Sequence, residues 1–270
     1  MNIRFLYLSS LICGINSFFV GSSYIKPRSR ISSTTPTMSV IVFGATGGTG
    51  KEVVVQALKK NENVVAFCRD VEKLTKPPGT CGIDAVSEPI VDNKLIKATG
   101  TVTSQADVDR AFSSAPTYIK GVVIALGGKP DEVGYDMLKN GTQCIINSMK
   151  KYNVSRVAVV TSIGVGNSFK QAPLFFRVLM MTAMKSIIND KNNQEKLFLD
   201  SPGAPGEDMD FTIVRPGGLS SDPPTKDVKI IDGIAGKIPR ADVAEFCLDA
   251  ILDENFSYTR GTPCISSVFE

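Results

Sequence analysis

The sequence predicts an α/β fold with a doubly wound parallel sheet, on three observations. Strand-like and helical runs alternate along residues 38–270, the pattern of successive βαβ units. The runs VVIAL (122–126) and VAVVT (157–161) are continuously apolar, as strands covered on both faces should be. A glycine-rich turn, GATGGTG (44–50), joins the first strand to the first helix.

Taken in order, β-branched residues set the first strand at 39–43, and KEVVVQALKK continues a helix over 49–60. Strand 63–68 follows. Residues 76–93 carry Pro and Gly and read as a loop before a third strand near 94–101. Next come helix 104–113, strand 120–126, helix 134–152 and strand 156–161. One long helical region is expected over 173–200. The cluster SPGAPGED (201–208) turns the chain into strand 210–215. A helix at 240–253, with Asp242 in its first turn, and a short strand near 262–267 complete the pattern. Residues 217–237, rich in Gly and Pro, are expected to cover the carboxyl edge of the sheet together with 165–190. A doubly wound fold binds its ligand at that edge.

The glycine loop carries the most chemistry. Gly44 lets the chain leave the strand in a tight turn, and Gly47 removes the Cβ that would block a diphosphate. Gly50 lets the helix pack against the sheet. Free N–H groups at the start of that helix, with its positive dipole end, suit phosphate. Strand, loop and helix in this order form a Rossmann-type dinucleotide site; a glycine-rich turn without ligand is the plain alternative. Arg69 follows the second strand, where an acid would meet ribose hydroxyls in an NAD site. A guanidinium there can pair with a 2′-phosphate, and Lys73 adds charge if the stretch is helical. Asp70 is the counterweight, since it can face a ribose instead. A solvated charge cluster is the other reading of these residues.

The chain resembles the atypical short-chain dehydrogenase/reductases, in the NAD(P)-binding branch that includes biliverdin reductase B, a flavin reductase, and NmrA-like regulators. The resemblance rests on GATGGTG (44–50), FCRDVEKL (67–74), ALGG (125–128), VVTSIG (159–164), FTIVRPGGL (211–219) and PRADVAEFCLDAIL (239–252). It implies NADP(H) as cofactor, with Arg69 and Lys73 at the 2′-phosphate. It places Thr46, Gly48 and Thr49 with the loop glycines at the phosphates, and Leu126 and Gly127 at the nicotinamide ribose. Ser162 matches the family serine, set to bond a substrate or the nicotinamide amide, and is the candidate catalytic residue. Thr101 departs from the pattern, standing where many relatives bind adenine through Asp.

Short-chain dehydrogenases proper use a Tyr acid tuned by Lys. Residues 135–139 fit YxxxK as a string, but they precede the fifth strand and the family motif follows it. Tyr135 and Lys139 therefore read as a decoy. Residues 165–200 contain no Tyr; Lys185 or Lys191 can approach the pocket without one to tune. Hydride transfer to a flavin, quinone or tetrapyrrole survives this loss, because the proton can come from water. Phe169, Phe175, Phe176, Met180, Met181 and Met184 read as core, or as a wall for a flat hydrophobic ligand or a protein partner.

Composition narrows the rest. No His occurs, which excludes Ser-His-Asp triads and His-ligated metals. The six Cys form no CxxC, so no metal site is expected. Residues 1–37 carry Arg4, Lys26, Arg28 and Arg30 and no acid. Of 30 basic residues, 26 remain beyond them against 27 acidic. The near-neutral body argues against nucleic acid as a partner. An apolar stretch followed by a basic, hydroxyl-rich one resembles a two-part plastid presequence, so 1–37 is expected to be a signal and transit peptide ahead of one domain over 38–270. A mitochondrial presequence, or a cytoplasmic start at Met38, are the alternatives. Gly14, Asn16 and Ser17 interrupt the apolar run, so no stable membrane span is expected. Two functions stay open: an NADPH-dependent reductase of a planar or conjugated small molecule, and a non-catalytic NADP(H) sensor or scaffold.

Overall fold

The apolar run Ser39–Phe43 forms β1 and is buried along its whole length. Val40 and Val42 point into one core, while Ile41 and Phe43 point into another on the opposite face. That alternation is the strand period of two, and it places β1 at the centre of the sheet. The computed structural model describes residues 37–128 and 134–267. The presequence expected over 1–37 lies outside the described residues except for its last position.

Parallel strands β2 (Asn63–Cys68), β3 (Leu95–Thr99), β4 (Ile119–Ile124), β5 (Arg156–Val160) and β6 (Asp210–Pro216) flank β1 in the order β3-β2-β1-β4-β5-β6. The order reverses between β1 and β4, the switch point at which a doubly wound sheet opens a crevice. β10 (Cys264–Ser266) extends the sheet parallel to β6, and β8 (Lys229–Ile230) closes the edge antiparallel. β7 (Gly218–Ser220) and β9 (Lys237–Pro239) pair separately above the carboxyl ends.

Helices α1 (Gly48–Lys59) and α7 (Arg240–Leu252) pack one face. Between them in sequence lie the short α2 (Pro78–Cys81), then α3 (Gln105–Ser113), α4 (Met137–Lys151), α5 (Leu174–Met181) and α6 (Lys185–Leu199). Residues from α3, α4 and α6 fill the second core. Among the described residues no helix is long and apolar enough to cross a membrane.

Two expectations are corrected. The helical region over 173–200 is two helices: the backbone leaves the helical range at Thr182, with ψ −98°, where the Thr182 hydroxyl also donates to the Val178 carbonyl at 2.9 Å. A back-bonding threonine weakens the helical ladder in this way. The loop at 76–93 holds a turn of helix, α2, tied down by Glu52 of α1. That buried carboxylate accepts the Thr80 N–H at 3.2 Å and the Thr80 hydroxyl.

Candidate functional site

The carboxyl ends of β1, β2, β4 and β5 open into a cavity of about 860 Å³. Gly44, Thr46, Gly47, Gly48, Thr49, Arg69, Leu126, Gly127 and Ser162 all line it, so most of the expected site residues converge. Gly50 lies beneath the loop instead. A Cβ there would sit 2.1 Å from the Gly44 carbonyl oxygen, and one on Gly44 itself, at φ +80°, would sit 2.4 Å from the Ala125 oxygen. Both positions admit only glycine; Gly44 forms part of the cavity wall, and Gly50 shapes the loop from beneath. No side chain caps α1 and no acid sits in its first turn. Its N–H groups and positive end therefore face the cavity, a fit for a diphosphate.

Arg69 is exposed and faces the cavity, whereas Asp70 turns to the neighbouring 3₁₀ turn. The Asp70 carboxylate accepts the Glu72 N–H at 3.0 Å and pairs with Lys73 at 3.5 Å. Lys73 is drawn to that pair at the outer surface and does not line the cavity, because Val71–Lys73 is a single tight turn. Thr101 lines the far end with Val102 and Thr103. Its N–H donates to Asp107 at 2.9 Å, and that bond with the Arg110 side chain holds the Asp107 carboxyl below its usual range. Cys68 also reaches the wall; burial pushes its thiol up, so it is no thiolate nucleophile near neutral pH.

Beyond Ser162 the wall becomes apolar. Phe175, Phe176 and Met184 line it with Ile163, Pro173 and Leu219. The rest of the expected apolar group divides otherwise. Met180 is core against Gly164, Met181 is exposed, and Phe169 lies under the Arg177 guanidinium. The Ser162 hydroxyl donates to the Ile163 carbonyl at 3.0 Å. Tyr135 is 74% exposed, and neither it nor Lys139 lines the cavity.

Behind the wall, Glu195 of α6 is buried and saturated. Its oxygens accept Arg215 Nε at 3.0 Å, Arg215 Nη2 at 2.5 Å and the Thr161 hydroxyl at 2.7 Å. Arg215 Nη1 continues to Asn167 at 2.6 Å. This network fixes α6 to the ends of β5 and β6, immediately beside Ser162. It also places Lys191, one turn before Glu195, in the cavity wall, whereas Lys185 stays outside. Burial pulls the Lys191 ammonium down to about 8, against the opposing charges of Glu195 and Asp190.

Arg240, the first residue of α7, lies across Gly48. A Cβ on Gly48 would come within 2.7 Å of Arg240 Cδ and Nε. The guanidinium also donates to Ser221 at 3.2 Å. Arg240 belongs to the motif PRADVAEFCLDAIL, whose spacing gives no sign of the site; only the packing of α7 against α1 brings it to the loop. Asp242, two residues on in that helix, is buried and accepts the Thr225 and Lys226 N–H groups, which anchors the segment covering the cavity.

The sequence profile of a family described as NAD(P)H-binding matches residues 44–254. The chain belongs to that NAD(P)H-binding family. Among its relatives are two chloroplastic proteins of Arabidopsis thaliana, neither with an assigned activity. One is 28% identical, over 94% of this chain and 86% of its own; the other is 26% identical, over 90% and 74%. The anaerobilin reductase ChuY of Escherichia coli O157:H7 has a similar fold, with TM-score 0.63, 21% identity, and 85% of this chain against 97% of its own covered. A wide-type short-chain dehydrogenase/reductase of Veillonella parvula, in complex with NADP, gives TM-score 0.64 at 14% identity, covering 85% and 94%.

Proposed function

We propose that this family member is an NADPH-dependent oxidoreductase that reduces a planar or conjugated small molecule of flavin, quinone or tetrapyrrole type, in a plastid. The observation that carries the reading is the continuity of one cavity. A glycine cradle with Arg69 and Arg240 lies at one end, and Phe175, Phe176, Met184 and Leu219 at the other. A dinucleotide fits the first part and a flat apolar acceptor the second. Plastid residence is supported by the chloroplastic relatives and by the acid-free composition of residues 1–37.

In this reading the N–H groups of α1 and the Arg240 guanidinium hold the diphosphate, and Arg69 holds the 2′-phosphate. Leu126 and Gly127 flank the nicotinamide ribose. Ser162 orients the acceptor once its hydroxyl leaves the Ile163 carbonyl. The apolar wall offers a face on which a flat acceptor stacks. Bound NADPH supplies the hydride. Purified protein is expected to oxidise NADPH steadily with at least one member of a flavin, quinone and tetrapyrrole panel. Tight NADPH binding without turnover of any acceptor overturns the reading.

No Tyr lines the cavity among the described residues, and that favours a second reading as a non-catalytic NADP(H) sensor or scaffold. A protein partner whose affinity differs between the NADP⁺ and NADPH forms would establish it; equal affinities would remove it.

A further inference from the structure

We propose that Lys191 is the proton donor of the reduction, in the place left by the missing tyrosine. The inference rests on the reductase reading above. Lys191 lines the cavity, and Glu195 and Asp190 act on its ammonium by charge alone, with no direct hydrogen bond or ion pair among the described residues. Both carboxylates nearest to it on α6 are committed elsewhere. Asp190 caps α4, accepting the Leu138 N–H at 2.8 Å and the Lys139 N–H at 3.0 Å. Glu195 is held by Arg215 from β6 and by Thr161 from the end of β5. The α4 side presents Met137 to the cavity, and the remaining cations on its wall are Arg69, Lys237 and Arg240. No Asp or Glu lines that wall among the described residues.

Lys191 is half-buried and feels Glu195 and Asp190 without a direct bond to either, and an ammonium so placed in a cavity wall is suited to bind or transfer charge. The lowered affinity of Lys191 for its proton, about 8, leaves it mostly protonated at neutral pH and ready to give that proton up. Its neighbours account for the chemistry. Thr161, bonded to Glu195 on the same helix, and Ser162 line the same cavity as Lys191. With a quinone as acceptor the step balances. The quinone gains a hydride from NADPH and becomes a hydroquinone monoanion. The Nζ–H bond of Lys191 breaks as the second O–H forms. The neutral amine then takes a proton from water at the cavity mouth, so one quinone, one NADPH and one solvent proton give one hydroquinone and one NADP⁺.

The test uses the full chain and has two arms. In the first, cofactor-free protein is reductively methylated with ¹³C-formaldehyde and titrated by NMR. The resonance absent from Lys191→Met should titrate about two pH steps below the surface lysines. Titration together with the surface lysines overturns the proposal. In the second, menadione reduction is followed against pH for wild type, Lys191→Met and Lys191→Arg. Wild-type kcat should hold below pH ~8 and fall above it, since the donor is lost as pH rises through that value. Both variants should lose about 100-fold or more in kcat, the size of a general-acid contribution. NADPH affinity should stay within about threefold of wild type, a difference too small for a lost charged contact. Recovery of the rate by arginine would show that charge alone suffices, and would overturn the proposal. So would loss of NADPH affinity with kcat and its pH limb unchanged, which would make Lys191 a cofactor-positioning residue. Wild type that reduces no acceptor defeats the reductase reading itself, while the titration still reads the lysine separately.

Discussion

Replacing Arg215 with methionine is expected to destabilise the fold by about 3–5 kcal/mol, the usual cost of stripping one partner from a buried ion pair. The Arg215 and Glu195 side chains are 3% and 2% exposed. Removing the guanidinium leaves a carboxylate inside the protein with only the Thr161 hydroxyl still donating to it. The surroundings have little room to adapt. A Cβ on Gly166 would lie 2.3 Å from Arg215 Nη2 and 2.8 Å from Glu195 Oε2, so the backbone closes directly over the pair. Urea unfolding should show the loss as a lower midpoint with an unchanged slope. The double variant Glu195→Met, Arg215→Met should recover most of it, because an apolar replacement of both charges removes the uncompensated one. A single variant as stable as wild type would mean that water reaches Glu195 and that the carboxylate is not sealed behind Ser162.

Replacing Arg69 with alanine should raise the NADPH dissociation constant about 10- to 100-fold while leaving NADH within about threefold. A charge-assisted bidentate contact is worth about 1.5–3 kcal/mol, and each 1.4 kcal/mol is tenfold in affinity. The lower end is the better expectation, since Arg69 is exposed and salt screens it. Arg240→Gln is the matched control. Its guanidinium lies over Gly48 at the diphosphate cradle, so NADPH and NADH should weaken together by about tenfold. Calorimetric titration of both nucleotides against both variants reads the contrast. Equal losses in Arg69→Ala would end the 2′-phosphate assignment. A loss confined to NADPH in Arg240→Gln would move that assignment to α7.

The glycine loop was legible because its information is local. Strand, turn and helix succeed one another within a dozen residues, and Gly44 and Gly50 sit where a Cβ has no space. The parallel sheet was legible for a related reason, since strands buried on both faces must be continuously apolar. What escaped depends on distance or on small competing bonds. Arg240 meets Gly48 only after α7 packs on α1, and no spacing announces that. Lys191 and Lys185 are alike in the sequence; only the seating of α6 puts Lys191 on the cavity wall and leaves Lys185 off it. The break at Thr182 is a single-residue departure of the backbone that no periodicity announces. Lys73 was drawn away by Asp70, a contest between two nearby charges that the sequence leaves undecided. The β7 and β9 pair escaped because strands of three residues carry no readable period.

A crystal structure of the protein with NADP⁺ tests the central claim most directly. The expected result has the diphosphate between the start of α1 and Arg240, and the 2′-phosphate on Arg69. The nicotinamide should look into open space bounded by Ser162, Lys191, Phe175 and Phe176. A nicotinamide face sealed by protein side chains, or a cofactor bound with its 2′-phosphate away from Arg69, would contradict the account of this cavity as the site of an NADPH-dependent reductase.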